Sequence, residues 1–144
     1  MLRVPVIFLV LAAGLAAAEP VATIVNSGST NRAGFRIAVD AQGNAELTAT
    51  PGGLRAPREQ NKPPEQTIPS ALFKSFRADL DAAKPLVSLP EVHCMKSASF
   101  GSRLTVEAAA EQTPDLSCGD GGNTAIRNLI RDVNEIIALF APGR

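Results

Sequence analysis

The sequence contains no tryptophan and no tyrosine, and its aromatic complement is six phenylalanines. One of these, Phe8, lies in an apolar N-terminal stretch. Platforms on which nucleic-acid bases or sugar rings stack are therefore scarce. An excess of charge of one sign is also lacking: 14 Lys and Arg balance 14 Asp and Glu, a formal net charge of zero. Nucleic acids and anionic membranes are bound by a net basic face that displaces counterions, so neither is the expected partner. One histidine and two cysteines are too few ligands for a usual zinc site. Neither a metal nor a cofactor is expected.

What is present begins with an address. Residues 1–18 have the form of a secretory signal peptide. Arg3 charges the start, Val4 to Leu15 is uncharged and apolar, and Ala16-Ala17-Ala18 offers a small-x-small cleavage site before Glu19. The apolar run is shorter than the roughly 20 residues that span a bilayer, and Glu19-Pro20 follows at once, so a membrane anchor is not expected. The length of 144 residues then leaves one domain, residues 19–144, secreted or periplasmic. In an oxidising compartment Cys94 and Cys118 are most simply one disulfide. On an extended strand His93 and Cys94 would point to opposite faces, which disfavours both a metal pair and a nucleophile–base pair.

The domain reads as strands, helix, strands, helix. Val21 to Val25 is a short β-branched run. Phe35, Ile37 and Val39 alternate with polar or small residues, as do Ala45, Leu47 and Ala49, and Ala41-Gln42-Gly43-Asn44 between them supplies a turn, so a hairpin is expected. Residues 51–68 are Pro-rich, with Pro51, Pro57, Pro63 and Pro64, and predict a long exposed loop. Pro69 opens a helix to Ala83 with Leu72, Phe73, Phe76 and Leu80 on one stripe. Cys94 to Ala110 predicts extended chain, with a bulge or bend at Phe100-Gly101-Ser102. A turn at Glu111 to Pro114 and a returning segment to Cys118 follow. Asn123 is the expected N-cap of a second helix, whose stripe runs through Ile126, Leu129, Ile130, Val133, Ile136, Ile137 and Phe140. The fold class is α+β, with an antiparallel sheet, two helices packed on one face and one disulfide.

Candidate chemistry is sparse. Lys96 stands beside Ser97 and near Ser99, but neighbours on a strand point apart, and no G-x-S-x-G elbow is present. Asp79 and Asp81 diverge on a helix, and no carboxylate pair that splits its titrations is apparent. Arg55, Arg58 and Lys62 are interleaved with Glu59 and Glu65 and read as solvated charge. The six-residue polar loop after the first strand is the best candidate binding surface, through Asn26, Ser27, Ser29, Thr30 and Asn31.

The strings Asn26-Ser27-Gly28-Ser29-Thr30-Asn31, Cys94-Met95-Lys96-Ser97-Ala98-Ser99-Phe100-Gly101 and Pro114-Asp115-Leu116-Ser117-Cys118 resemble a set of uncharacterised exported bacterial proteins, from which no activity transfers. In order of elements the chain is also similar to emfourin-type proteins, small bacterial inhibitors of metalloproteases. Those open with a strand and a Ser-Gly-Gly-Phe-like turn; here the corresponding turn is Asn26-Ser27-Gly28-Ser29, with Phe35 displaced. The resemblance implies inhibition of an enzyme by protein–protein contact. The expectation is an exported, non-enzymatic protein-binding domain that inhibits an extracellular or periplasmic enzyme. The alternatives are a small secreted hydrolase with an unusual site, and a structural envelope protein without a discrete ligand.

Overall fold

The computed structural model describes residues 19–50 and 64–141. The expected signal peptide and residues 51–63 of the Pro-rich segment lie outside the described residues. Six strands form one antiparallel sheet in the order β4-β3-β2-β1-β5-β6. They are β1 (Ala22–Asn26), β2 (Gly34–Val39), β3 (Asn44–Thr50), β4 (Glu65–Thr67), β5 (Leu104–Ala108) and β6 (Glu111–Gln112). Two helices, α1 (Ser70–Ala82) and α2 (Thr124–Ala138), complete the α+β fold.

The alternation of the strands sets the layers. Ile24 pairs with Ile37 on one side and Val106 on the other, and Ile37 also pairs with Leu47, so these residues share one face. That face carries Ala22, Ile24, Ile37, Val39, Ala45, Leu104, Val106 and Ala108, all buried. Phe76 and Leu80 of α1, with Ile126, Leu129, Val133 and Ile136 of α2, bury their stripes in the same core. The opposite face carries Thr23, Val25, Arg36, Glu46, Thr48, Thr105 and Glu107. There Arg36 reaches across β1 to Glu107 at 2.5 Å. The buried face thus follows the period of two, and the polar positions between fall on the open face.

The hairpin of β2 and β3 closes as the alternation requires, with Val39 opposite Ala45. Asp40 holds its turn, its Oδ1 accepting from the amides of Gln42 and Asn44 at 2.8 Å each. Asn123 caps α2, its side chain accepting from Ile126 N at 3.0 Å. Cys94 and Cys118 form a disulfide.

Three segments differ from expectation. Glu65–Thr67, expected as the end of the long loop, pair with Asn44–Glu46 as β4. Glu111–Gln112, expected in a turn, form β6, and the turn is Ala109-Ala110. Of the stretch expected to be extended from Cys94 to Ala110, only Leu104–Ala108 is strand; the residues before it are irregular. Hydrogen bonds to distant parts of the chain shape that irregular segment.

Candidate functional site

The segment from Pro90 to Arg103 has no strand neighbour, yet it is tied down repeatedly. Its tip is a turn in which Gly101 N donates to Ser97 O at 2.7 Å. The polar loop after β1 docks on this turn. Ser29 Oγ donates to Ser99 O at 2.9 Å and Thr30 Oγ1 to Ala98 O at 3.2 Å. Asn31 N donates to the same Ser99 carbonyl at 3.1 Å. Ser27 and Arg103 join the bases of the two loops: Ser27 N donates to Arg103 O at 3.0 Å, and Arg103 N to Ser27 Oγ at 2.9 Å. Asn26 Oδ1 accepts from Gly28 N at 2.9 Å and shapes the polar loop itself.

The five candidate binding residues and the disulfide region therefore belong to one surface. The side chains of Asn26, Ser27, Ser29 and Thr30 are engaged within the fold, while Ser27, Thr30 and Asn31 remain exposed. The polar loop braces its neighbour as well as facing outward, a role that a local reading of six polar residues does not disclose.

A charged knot holds the other side of the segment. Lys96 Nζ donates to Asp115 Oδ2, to Ser117 Oγ and, at 2.5 Å, to Ser102 O. Asp115 Oδ1 accepts from Leu104 N and Ser117 N at 3.1 Å each and from Ser117 Oγ at 2.6 Å. Burial acts to raise the Asp115 carboxyl, but Lys96, the Ser117 hydroxyl and the two amides outweigh it and hold the group down at about 2. Further along the same edge, Thr113 is buried, and its Oγ1 accepts from Val106 N at 3.0 Å. Asp115 and Thr113 thus give two β5 amides the acceptors that a full-length edge strand would supply.

The knot also limits the chemistry. A Ser–Lys hydrolase needs a neutral amine that takes the proton of the serine hydroxyl. Here Lys96 is paired with a carboxylate, and Ser117 Oγ lies 2.6 Å from the Asp115 oxygen that accepts its proton. Ser97 Oγ instead accepts from Ser99 N at 3.3 Å. His93 is exposed, with its Nδ1 3.9 Å from Glu91 Oε1. Among the described residues no group of three or more His, Cys, Asp or Glu could hold a metal ion.

The segment and the open sheet face enclose a cleft of about 980 Å³, lined by Val25, Leu89, Val92, Lys96, Arg103 and Thr105 among others. Val87, at 70% exposure, lines this cleft, and the other exposed large hydrophobic side chains among the described residues are Met95 and Phe100, at 103% and 62%. All three fall between α1 and β5. Met95 falls in the stretch expected to be extended and Phe100 in its expected bulge or bend, and neither position marks the side chain as exposed. Their signal was present only as two large apolar residues in a stretch otherwise rich in Ser, Ala, Gly and Lys.

One further cluster lies elsewhere, between α1 and α2. Asp79, whose lack of a carboxylate partner was expected, faces Asp132, with Arg131 between them. No helix among the described residues is long and apolar enough to cross a membrane. No protein-family model, no curated protein and no solved structure matches the chain.

Proposed function

We propose that the chain is an exported, non-enzymatic protein-binding domain whose contact surface is built from the paired loops at 26–32 and 94–103. One observation carries this reading: the exposed Met95 and Phe100 sit on an irregular segment fixed by a disulfide, an ionic knot and five hydrogen bonds to the neighbouring loop. Large apolar side chains exposed together cost solubility and mark interaction surfaces. Fixing them before contact lowers the entropy lost on binding. Aromatic and Met side chains are enriched at the centre of such contacts.

The disulfide supports an oxidising, extracytoplasmic setting. The pairing of Lys96 and Ser117 with Asp115 supports binding over hydrolysis, because it occupies the groups a Ser–Lys mechanism would need free. The finer reading is inhibition of an extracellular or periplasmic enzyme, with Phe100 as the side chain inserted into the partner. This reading accords with the resemblance in element order to emfourin-type inhibitors read from the sequence.

The test is affinity capture from culture supernatant and periplasm with the purified chain and two variants. Phe100→Asp should lose a protein that the unaltered chain retains, while Glu46→Lys, an exposed change on β3, should retain it. Equal capture by both variants, or no capture by the unaltered chain, overturns the proposal. Assay of captured enzymes for loss of activity then decides the inhibitory reading.

A further inference from the structure

The two helices meet through a charged cluster independent of the loop surface. Asp132 of α2 is 1% exposed and is the one buried charged residue among those described. Its Oδ1 accepts from Arg131 Nε at 2.9 Å, and its Oδ2 has no hydrogen-bond partner. Asp79 of α1 faces Asp132 closely enough for the second carboxylate to act on the first. The same guanidinium clasps both: Arg131 Nη2 is 3.1 Å from Asp79 Oδ2 and 2.9 Å from Asp132 Oδ1. Ser75 Oγ and Asn128 Nδ2 approach the Asp79 carboxyl at 3.5 and 3.4 Å.

The charges around this cluster are few. On α2, Glu135 acts on Arg131 from one turn away. On α1, Asp81 pairs with Lys84 at 2.8 Å, and Lys74 and Arg77 are exposed. The sheet face under the helices presents Ile24, Ile37, Val39 and Val106, and its one titratable side chain among the described residues is Glu111 on the β6 edge, whose carboxylate accepts from Leu86 N at 2.8 Å. Two carboxylates against one guanidinium therefore leave one uncompensated negative charge at a site where one oxygen is shut away from water. Such a charge is costly unless it is neutralised.

A single proton resolves both anomalies. Placed on Asp79, it makes the Asp79–Arg131–Asp132 triad neutral and turns the facing carboxyl into a donor beside Asp132, whose Oδ2 lacks one. We propose that Asp79 donates such a proton to Asp132 and that this bond is a pH-responsive clasp between α1 and α2. Burial, and next the facing Asp132 carboxylate, push the Asp79 carboxyl above its ordinary value of 3.8, against the lowering influence of Asn128 and Arg131. A raised acid contributes its stabilisation fully below 3.8 and loses it as pH rises through the raised value. The clasp is therefore closed in acid and released towards neutrality. Release puts the extra charge beside the groove of about 600 Å³ between the helices, lined by Leu72, Ser75, Asp132 and Leu139 among others, and loosens the packing there.

The test is a carboxyl-carbon NMR titration of the chain, with thermal unfolding of variants across pH. The Asp79 carboxyl should bind its proton at least about tenfold more tightly than the exposed Asp81 carboxyl. Arg131→Gln, which keeps hydrogen-bond donors and removes the positive charge, should tighten that binding by about another tenfold. Asp79→Asn supplies an amide donor at every pH, so its Tm should exceed that of the unaltered chain at pH 7, and the gap should close towards pH 4. Titration of Asp79 at or below the ordinary aspartate value overturns the clasp, as does an Asp79→Asn gap that stays constant with pH. Should Asp79→Asn fail to fold, the NMR titration still decides.

Discussion

Lys96 and Asp115 pair across the gap that Cys94 and Cys118 also bridge, so a covalent and an ionic tether, two and three residues apart along the chain, fix the same irregular segment. The ion pair is well shielded, with side-chain exposures of 24% and 14%, and screened surface pairs are a poor guide to its strength. It also anchors β5 through Leu104 N. A local electrostatic contact therefore supports both the loop surface and the strand that leads out of it.

The pH dependence of this contact follows from Asp115, whose carboxyl is held at about 2 against 3.8 when unfolded. A depressed acid contributes stability above its unfolded value and loses it as pH falls from there through the folded value. Asp115→Asn should therefore cost about 2 kcal/mol at pH 7 and progressively less towards pH 2. Urea unfolding of both proteins at the two pH values measures this, and an equal loss at both would remove the charge from the explanation. The dependence runs opposite to that of Asp79, so the comparison with each single variant, not the absolute stability, separates the two.

The elements that were legible in the sequence are those whose information is local. Asp40 to Asn44 closes a hairpin that the alternating apolar residues already imply, and the α2 stripe with Asn123 at its head gives both the helix and its start. The segment before β5 was not legible, because its shape comes from Ser29 and Thr30, whose partners lie 70 and 68 residues away. The Asp79–Asp132 pair was hidden for the same reason: each aspartate sits on its own helix, and only the docking of the helices brings them together. The strand β4 is three exposed residues, Glu65–Thr67, with no apolar periodicity to reveal it.

Gly28 lies where the polar loop turns back towards β2. Its φ is +66°, and a Cβ there would stand 2.6 Å from Arg32 O and 2.9 Å from Ala33 C. Gly28→Ala combines a left-handed backbone with contacts to main-chain atoms that cannot swing away, and should cost about 3 kcal/mol. Gly122→Ala has φ +83° but nothing within 4 Å, so only the conformational cost of about 1 kcal/mol applies. Denaturant unfolding of the pair separates the steric from the torsional part.

The turn between β5 and β6 is Ala109-Ala110, with φ of 50° and 64°. A two-residue hairpin loop with both residues left-handed favours Asn-Gly, and alanine has no side-chain hydrogen bond to offset the strain. Ala110→Gly should therefore stabilise the protein by about 1 kcal/mol, or about 4 °C in Tm, and Ala109→Asn should add to it. An unchanged Tm would mean that the alanine pair rests in another turn in solution.

Removal of the disulfide tests whether the ionic tether holds the loop on its own. The two cysteines are 24 residues apart, and closing a loop of that size stabilises by about 3–4 kcal/mol, mostly by restricting the unfolded chain. Cys94→Ser with Cys118→Ser should show that loss in global unfolding. The native loop should nevertheless stay docked, because Lys96 still meets Asp115 and Ser102 O, and the 26–32 loop still binds Ser99 O. Hydrogen exchange reads this directly at Gly101 N, which donates within the turn, and at Asn31 N, which joins the two loops. Both amides should remain protected in the double serine variant, and both should exchange faster once Lys96→Met is added, while Val21 N at the sheet remains protected until global unfolding. Loss of protection at Gly101 in the double serine variant alone would make the disulfide the dominant tether and the ion pair its dependent.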